Sequence, residues 1–212
     1  MAMGSTGATT RRASSRARLV TIAILIATVG QLAVATFVPG LPQFESKGFG
    51  ARLVAYPVLM LAVPAGWLVL ARRRDPSLSR ADLSARAPWT AFALLMAPFL
   101  VDVTGNTLDL YDNVGWWDDA NHLVNWFLLS LGVGLLLARV AIRPSWVLGV
   151  AVAGIGALLA IGWEVGEWWA FIRHGTELDT AYEDTLGDEV LGSLGAAIAG
   201  VVVARLPRIH AN

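Results

Sequence analysis

With 212 residues, a mean hydropathy of +0.59 and only 15% charged residues, the chain is too apolar for an ordinary soluble domain. Its sixteen basic and sixteen acidic residues cancel, and the absence of cysteine removes disulfides, thiolate metal sites and cysteine nucleophiles together. What remains is an all-α polytopic membrane bundle, with no redox hint of compartment.

A helix needs about 20 mostly apolar residues to cross a hydrocarbon layer of about 30 Å. Lipid offers no partners to unpaired backbone groups, so helix is the required form. Residues 1–18 are expected to be a disordered basic tail carrying Arg11, Arg12, Arg16 and Arg18. The transmembrane domain is expected over 19–205. Its first span is 19–38, closed by Pro39-Gly40-Leu41-Pro42. This start, with Ala33-Val34-Ala35, also fits a cleaved signal peptide. A retained span is preferred because the run is long enough to cross and nothing soluble follows. Arg11-Arg12 reads as an anchor on anionic lipid rather than a twin-arginine signal.

The second span is 52–71. A loop with Arg72, Arg73, Arg74, Arg80 and Arg86 follows, where Asp75-Pro76 is expected to cap a short interfacial helix. The third span, 89–111, carries Asp102, Asn106 and Asp109 at i, i+4 and i+7, one helical face. After Asn113 to Gly115 the fourth span, 120–142, opens on Asp118-Asp119-Ala120-Asn121-His122, which sets the carboxylates one turn before the imidazole. Arg143-Pro144 precedes the fifth span, 145–172, with Glu164 and Glu167 at i and i+3. His174-Gly175 separates it from the sixth, 182–205. That span begins with Glu183, Asp184, Thr185, Asp188 and Glu189 and leads to a tail over 206–212.

Thirteen of the sixteen basic residues fall in alternate segments: the N-terminal tail, the second loop, Arg139 with Arg143, and Arg205 with Arg208. Only Lys47, Arg52 and Arg173 fall in the others. By the positive-inside rule both termini are expected in the cytoplasm. Trp116, Trp117, Trp163, Trp168 and Trp169 then gather at outer helix ends, with Trp89 and Trp146 at inner ones, as interfacial belts do. The basic segments are accounted for by topology, so nucleic-acid binding has no support.

The acids are the chemically informative residues. All but Asp75 and Asp82 lie in or beside the outer half. Glu45, Asp112, Glu177 and Asp179 read as solvated loop residues, as do His174 and the tail residue His210. Counting inward at 1.5 Å per residue places Asp188 and His122 roughly 8–9 Å deep, Glu164 about 12 Å and Asp102 about 13 Å. Four helices thus bring acids to similar depth on one side, with basic partners scarce. A charge at mid-membrane costs about 2.5–3.5 kcal/mol even on the milder scales. Shared protons, a watered cavity or a bound cation must offset it. Carboxylates with one imidazole suit zinc, manganese, magnesium or calcium. His122 alone could equally relay protons. Gly162 and Gly166 bracket Glu164, and Gly187, Gly192 and Gly195 line the sixth span; close helix packing is their simplest use. No Gly-x-Ser-x-Gly elbow, phosphate-cradling loop or His-Glu-x-x-His occurs, and neither Ser130 nor Ser193 has the histidine partner of a triad.

Asp118-x-x-x-His122 opening a helix, a glutamate late in the next span, and Asp184-Thr185-x-x-Asp188 with Gly195 beyond resemble the YjdF-like bacterial inner-membrane proteins over roughly residues 50–203. A fainter echo of VanZ-like proteins departs at Gly192, where that pattern has asparagine. The YjdF-like resemblance implies a small multi-span protein of the bacterial cytoplasmic membrane and no particular reaction.

Three functions stay open on these residues. The first is a metal-dependent hydrolase of a lipid or lipid-linked substrate. Asp118, His122, Glu164, Asp184 and Asp188 would hold the ion, and Asp119 or Glu167 would be the general base. The second is a cation- or proton-coupled transporter using the same acids, although no repeat relates the two halves. The third is a structural envelope protein whose neutral acids, with Asp102, Asn106, Asp109 and Thr185, only join helices. Oligomeric state is not encoded in any of these patterns.

Overall fold

A computed structural model of the chain describes residues 4–38, 40–45, 47–140, 142–170, 173 and 181–206, and their side chains from residue 13 on, residue 170 excepted. Pro39, the end of the fifth span at Ile172, His174, Gly175, Glu177, Asp179, Arg208, His210 and all of the tail past Leu206 lie outside the described residues, as do the side chains of Arg11 and Arg12. The described residues are helical with short connections and contain six helices long and apolar enough to cross a membrane. They fall into two compact units, Met1–Asp109 and Leu110–Asn212.

In the first unit α1 (Gly4–Phe37) packs against α2 (Phe49–Arg74) and α4 (Trp89–Thr107), with the short α3 (Arg80–Arg86) between the last two in sequence. Leu32, Ala35, Phe49, Tyr56, Met60, Met96 and Val103 form its core. Apolar packing alone does not choose partners in lipid, so polar contacts also set the arrangement. The Thr21 hydroxyl donates to the Ala17 and Trp89 carbonyls, and Gln31 joins the hydroxyls of Thr104 and Thr107. Arg52 Nη1 lies 3.2 Å from Asp102 Oδ2, Tyr56 donates to the same oxygen, and Asn106 Nδ2 donates to Oδ1 at 3.1 Å. Lys47 pairs with Asp109 at 2.6 Å. Two of the few basic residues expected on that side, Arg52 and Lys47, are thus spent on the acids of the third span. Arg52 stands one turn before Tyr56 on α2, and the α2–α4 pairing sets both against Asp102.

Several expected boundaries also shift. Residues 4–18, expected to be disordered, are helical and run into the first span. No proline interrupts Ser14-Ser15-Arg16-Ala17-Arg18, and a span already nucleated extends at little cost. The third helix stops at Thr107 instead of 111. Asp109 adopts a left-handed φ of 58° and turns to Lys47, so it lies past the helix end, off the face that Asp102 and Asn106 share. The short helix α3 is capped by Ser79, not by Asp75-Pro76. The Ser79 hydroxyl accepts from the Asp82 N–H while the Asp82 carboxylate accepts from the Ser79 N–H. The Ser79 hydroxyl and backbone N–H hold the Asp82 carboxyl below its ordinary range, and Ser77 does the same for Asp75.

In the second unit a single turn, α5 (Leu110–Asn113), leads to α6 (Trp117–Leu137), α7 (Ser145–Ala170) and α8 (Ala181–Arg205). Helix α6 begins before residue 120 because Asp118 and Asp119 favour a helix's first turn, where their charge meets the positive end of the dipole. It ends at Leu137, short of the expected 142, in a run of turns through Val140. Helix α8 packs along both α6 and α7, around Leu148, Val152, Ala199 and Val203.

Replacing Arg52 with leucine strands the Asp102 carboxylate. Because the pair is partly accessible, the expected loss is about 2–3 kcal/mol, below the 3–5 of a fully buried pair. Adding Asp102→Asn should recover at least half of that loss in detergent thermal unfolding. An Arg52→Leu protein as stable as the parent would contradict this role.

Candidate metal centre

Helix α6 carries Asp118 in its first turn and His122 one turn on; α8 carries Asp188 in its second turn. Helix α7 carries Glu164 in its C-terminal part. These helices converge on the His122 imidazole. Its Nε2 lies 3.6 Å from Asp118 Oδ1 and 3.5 Å from Asp188 Oδ1. The opposite ring nitrogen, Nδ1, lies 3.6 Å from Glu164 Oε1. All three separations exceed the usual 2.7–3.2 Å of an N–H···O hydrogen bond. Asp118, His122 and Asp188 each offer a ligand atom within 4.8 Å of the others, a spacing that could surround a metal ion.

Burial differs across the group. Glu164 is 3% and Asp188 6% exposed, His122 is half-buried, and Asp118 is the most open. Glu164 Oε1 is inaccessible to solvent and accepts no hydrogen bond among the described residues. Three carboxylates thus meet one imidazole, which even when protonated balances only one of them.

The other sequence candidates take different positions. Asp184 is exposed one turn before Asp188, and Asp119 is exposed beside Asp118. Glu167 is half-buried and accepts a hydrogen bond from Trp163 Nε1 at 3.1 Å; Thr185 is half-buried. Sequence reading missed a polar ladder on α6. Asn125 Nδ2 donates to Asn121 Oδ1 at 3.0 Å, and Asn121 Nδ2 donates to the Tyr111 hydroxyl at 2.7 Å. Two asparagines four apart in an apolar helix were the available signal. Trp116, Trp168 and Trp169 are exposed, as belt residues are, and the Arg173 guanidinium stacks 3.4 Å over the Trp169 ring.

Glycine brings the cluster together. A Cβ at Gly195 of α8 would collide with the Leu123 carbonyl oxygen and stand 2.9 Å from the Phe127 nitrogen, so α8 can lie this close to α6 only without a side chain there. One at Gly192 would meet Trp126 Cδ1 at 2.7 Å. The packing expected at Gly162, Gly166 and Gly187 is not found: no described atom lies within 4 Å of a Cβ built at any of them. Gly162 and Gly166 sit on an outward face of α7, a detail that spacing alone does not encode.

The family described as predicted membrane protein (DUF2238) matches residues 75–208, more than half of the chain and the whole of this cluster. No curated protein and no solved structure matches the chain.

Gly195→Val should force α8 away from α6 and lower stability by about 1–3 kcal/mol, the range for overpacking. Gly187→Ala, placed in open space, should leave it unchanged or slightly raised. Paired melting curves in one detergent check both, and equal midpoints for the Gly195 variant and parent would refute the close-approach assignment.

Proposed function

We propose that this chain, which belongs to the DUF2238 family of membrane proteins, holds a divalent cation at the His122 cluster and hydrolyses a lipid or lipid-linked substrate from the extracytoplasmic side of the bacterial cytoplasmic membrane. One observation carries the reading. Three helices bring Asp118, Glu164 and Asp188 to a single imidazole, an excess of carboxylate over cation within a membrane-spanning bundle. The family match is compatible with the YjdF-like resemblance and says nothing of the VanZ-like echo.

Orientation follows from the basic residues, whose alternation puts both termini in the cytoplasm and the start of α6 outside. A site one or two turns inside that end stands at headgroup-facing depth, suited to a phosphate or ester. The ion would supply Lewis-acid polarisation of that group. Asp118, His122 and Asp188 would hold it, and exposed Asp184 would draw the cation inward. Glu167 or Asp119 would take a proton from the attacking water. Residues 19–205 would form the transmembrane domain carrying all of this.

Purified protein should contain about one divalent metal ion per chain, and His122→Ala should lose it with the fold retained. No stoichiometric metal in either sample would end the reading. Because the chain lacks cysteine, single reporters are clean. Gly115→Cys should react with an impermeant maleimide in intact cells, and Ala81→Cys only after permeabilisation. The reverse pattern would invert the topology and the side on which substrate is met.

A further inference from the structure

Sequence pattern groups Glu164 with the metal ligands, but geometry separates it from them. Asp118 and Asp188 approach Nε2 of His122, whereas Glu164 approaches Nδ1 on the other side of the ring. The two ring nitrogens point in different directions, so an ion held at Nε2 is beyond the reach of a carboxylate facing Nδ1. We infer that Glu164 is a positioning residue: it accepts a hydrogen bond from Nδ1–H, fixes the tautomer that leaves Nε2 free to bind, and so shapes a three-ligand site for a small tetrahedral cation of the zinc class. This rests on the metal reading above and deepens it by naming the ion class and the residue behind the histidine.

Three observations converge on this assignment. Glu164 is 3% exposed, and its Oε1 accepts no hydrogen bond among the described residues, so it keeps an unused acceptor aimed at the imidazole. A fully buried carboxylate oxygen without a donor is costly. The 3.6 Å gap to Nδ1 needs to close by only about 0.6 Å for an ordinary N–H···O bond. Metal-bound histidines generally direct their second nitrogen to a carboxylate or carbonyl, which raises their basicity.

The Nε2 side indicates the ion. Bonds of about 2.0–2.1 Å in a tetrahedron set ligand atoms about 3.3–3.5 Å apart. The observed Nε2 separations are 3.6 and 3.5 Å. Adjacent ligands of octahedral magnesium, at similar bond lengths, stand only about 2.9 Å apart. Calcium, with bonds of about 2.4 Å, reaches the same spacing as zinc, and it is the imidazole donor that disfavours it. One imidazole with two carboxylates fills three tetrahedral positions and leaves the fourth for water or substrate, the pattern of catalytic zinc sites.

Zinc binding to detergent-purified, metal-stripped full-length protein tests the assignment, with magnesium and calcium as competitors. The parent should bind about one zinc ion, undisplaced by millimolar magnesium or calcium. Glu164→Gln, which keeps a neutral acceptor, should weaken zinc about tenfold, and Glu164→Leu about a hundredfold, both still reaching one ion at saturation. Histidine ¹⁵N spectra in a His174→Gln, His210→Gln background should show Nδ1 protonated in zinc-loaded parent, with that signal moved in Glu164→Gln, a change that a purely structural role would not produce. Should the leucine variant fail to fold, the glutamine variant and the spectra still decide.

Unchanged affinity in Glu164→Gln overturns the positioning role while the metal site stands. Complete loss of binding by a folded Glu164→Gln makes Glu164 a ligand and also overturns it. Preference for magnesium or calcium over zinc overturns the ion class. Absence of all divalent binding in the parent removes the metal reading itself, a separate failure.

Discussion

A carboxylate carried among apolar helices must be met by a counter-charge, a proton or an ion, and the polar structure of this protein follows from that constraint. The two units answer it differently. In the first, Arg52 and Lys47 come from the chain itself, and Asp102 is further satisfied by Tyr56 and Asn106. That solution is closed: anion, cation and donors are all present. In the second, Asp118, Glu164 and Asp188 share one imidazole. That solution is open, because one histidine cannot balance three acids.

Close packing turns an excess of charge into a site. Asp188 reaches His122 because α8 has no side chain at Gly195 where it crosses the α6 backbone, and little room at Gly192 beside Trp126. In lipid, where apolar faces gain little by meeting one another, small residues and polar contacts decide which helices touch. The glycines and the acids of α8 therefore act together: one set brings the helix near, the other uses the proximity.

The spans were legible because apolar run length is a one-dimensional property, and five of the six helices begin within about three residues of the expected start, well inside one helical turn. Their ends were less so. Asp109 ends α4 by adopting a left-handed conformation and pairing with Lys47, a residue far away in sequence. Similar depth drew attention to His122, Glu164 and Asp188 but equally to Asp102, which pairs with Arg52 instead. The roles within the cluster were not readable, since sequence does not say which ring nitrogen a carboxylate will face. Arg52 was counted only among the few basic residues of its side; the pairing of α2 with α4 reveals its partner. Gly162 and Gly166 mislead for a related reason: small-residue spacing marks a face able to pack and is silent on whether a neighbour lies against it.

The pairing of Arg52 with Asp102 has a temporal side. Arg52 precedes Asp102 by fifty residues, so as the chain emerges from the ribosome the guanidinium is made before the carboxylate that it pairs with. The second unit is delivered in a similar sequence: the imidazole of α6 is laid down before Glu164 and Asp188. In both units a basic partner is thus synthesised ahead of acids that it meets in the folded chain.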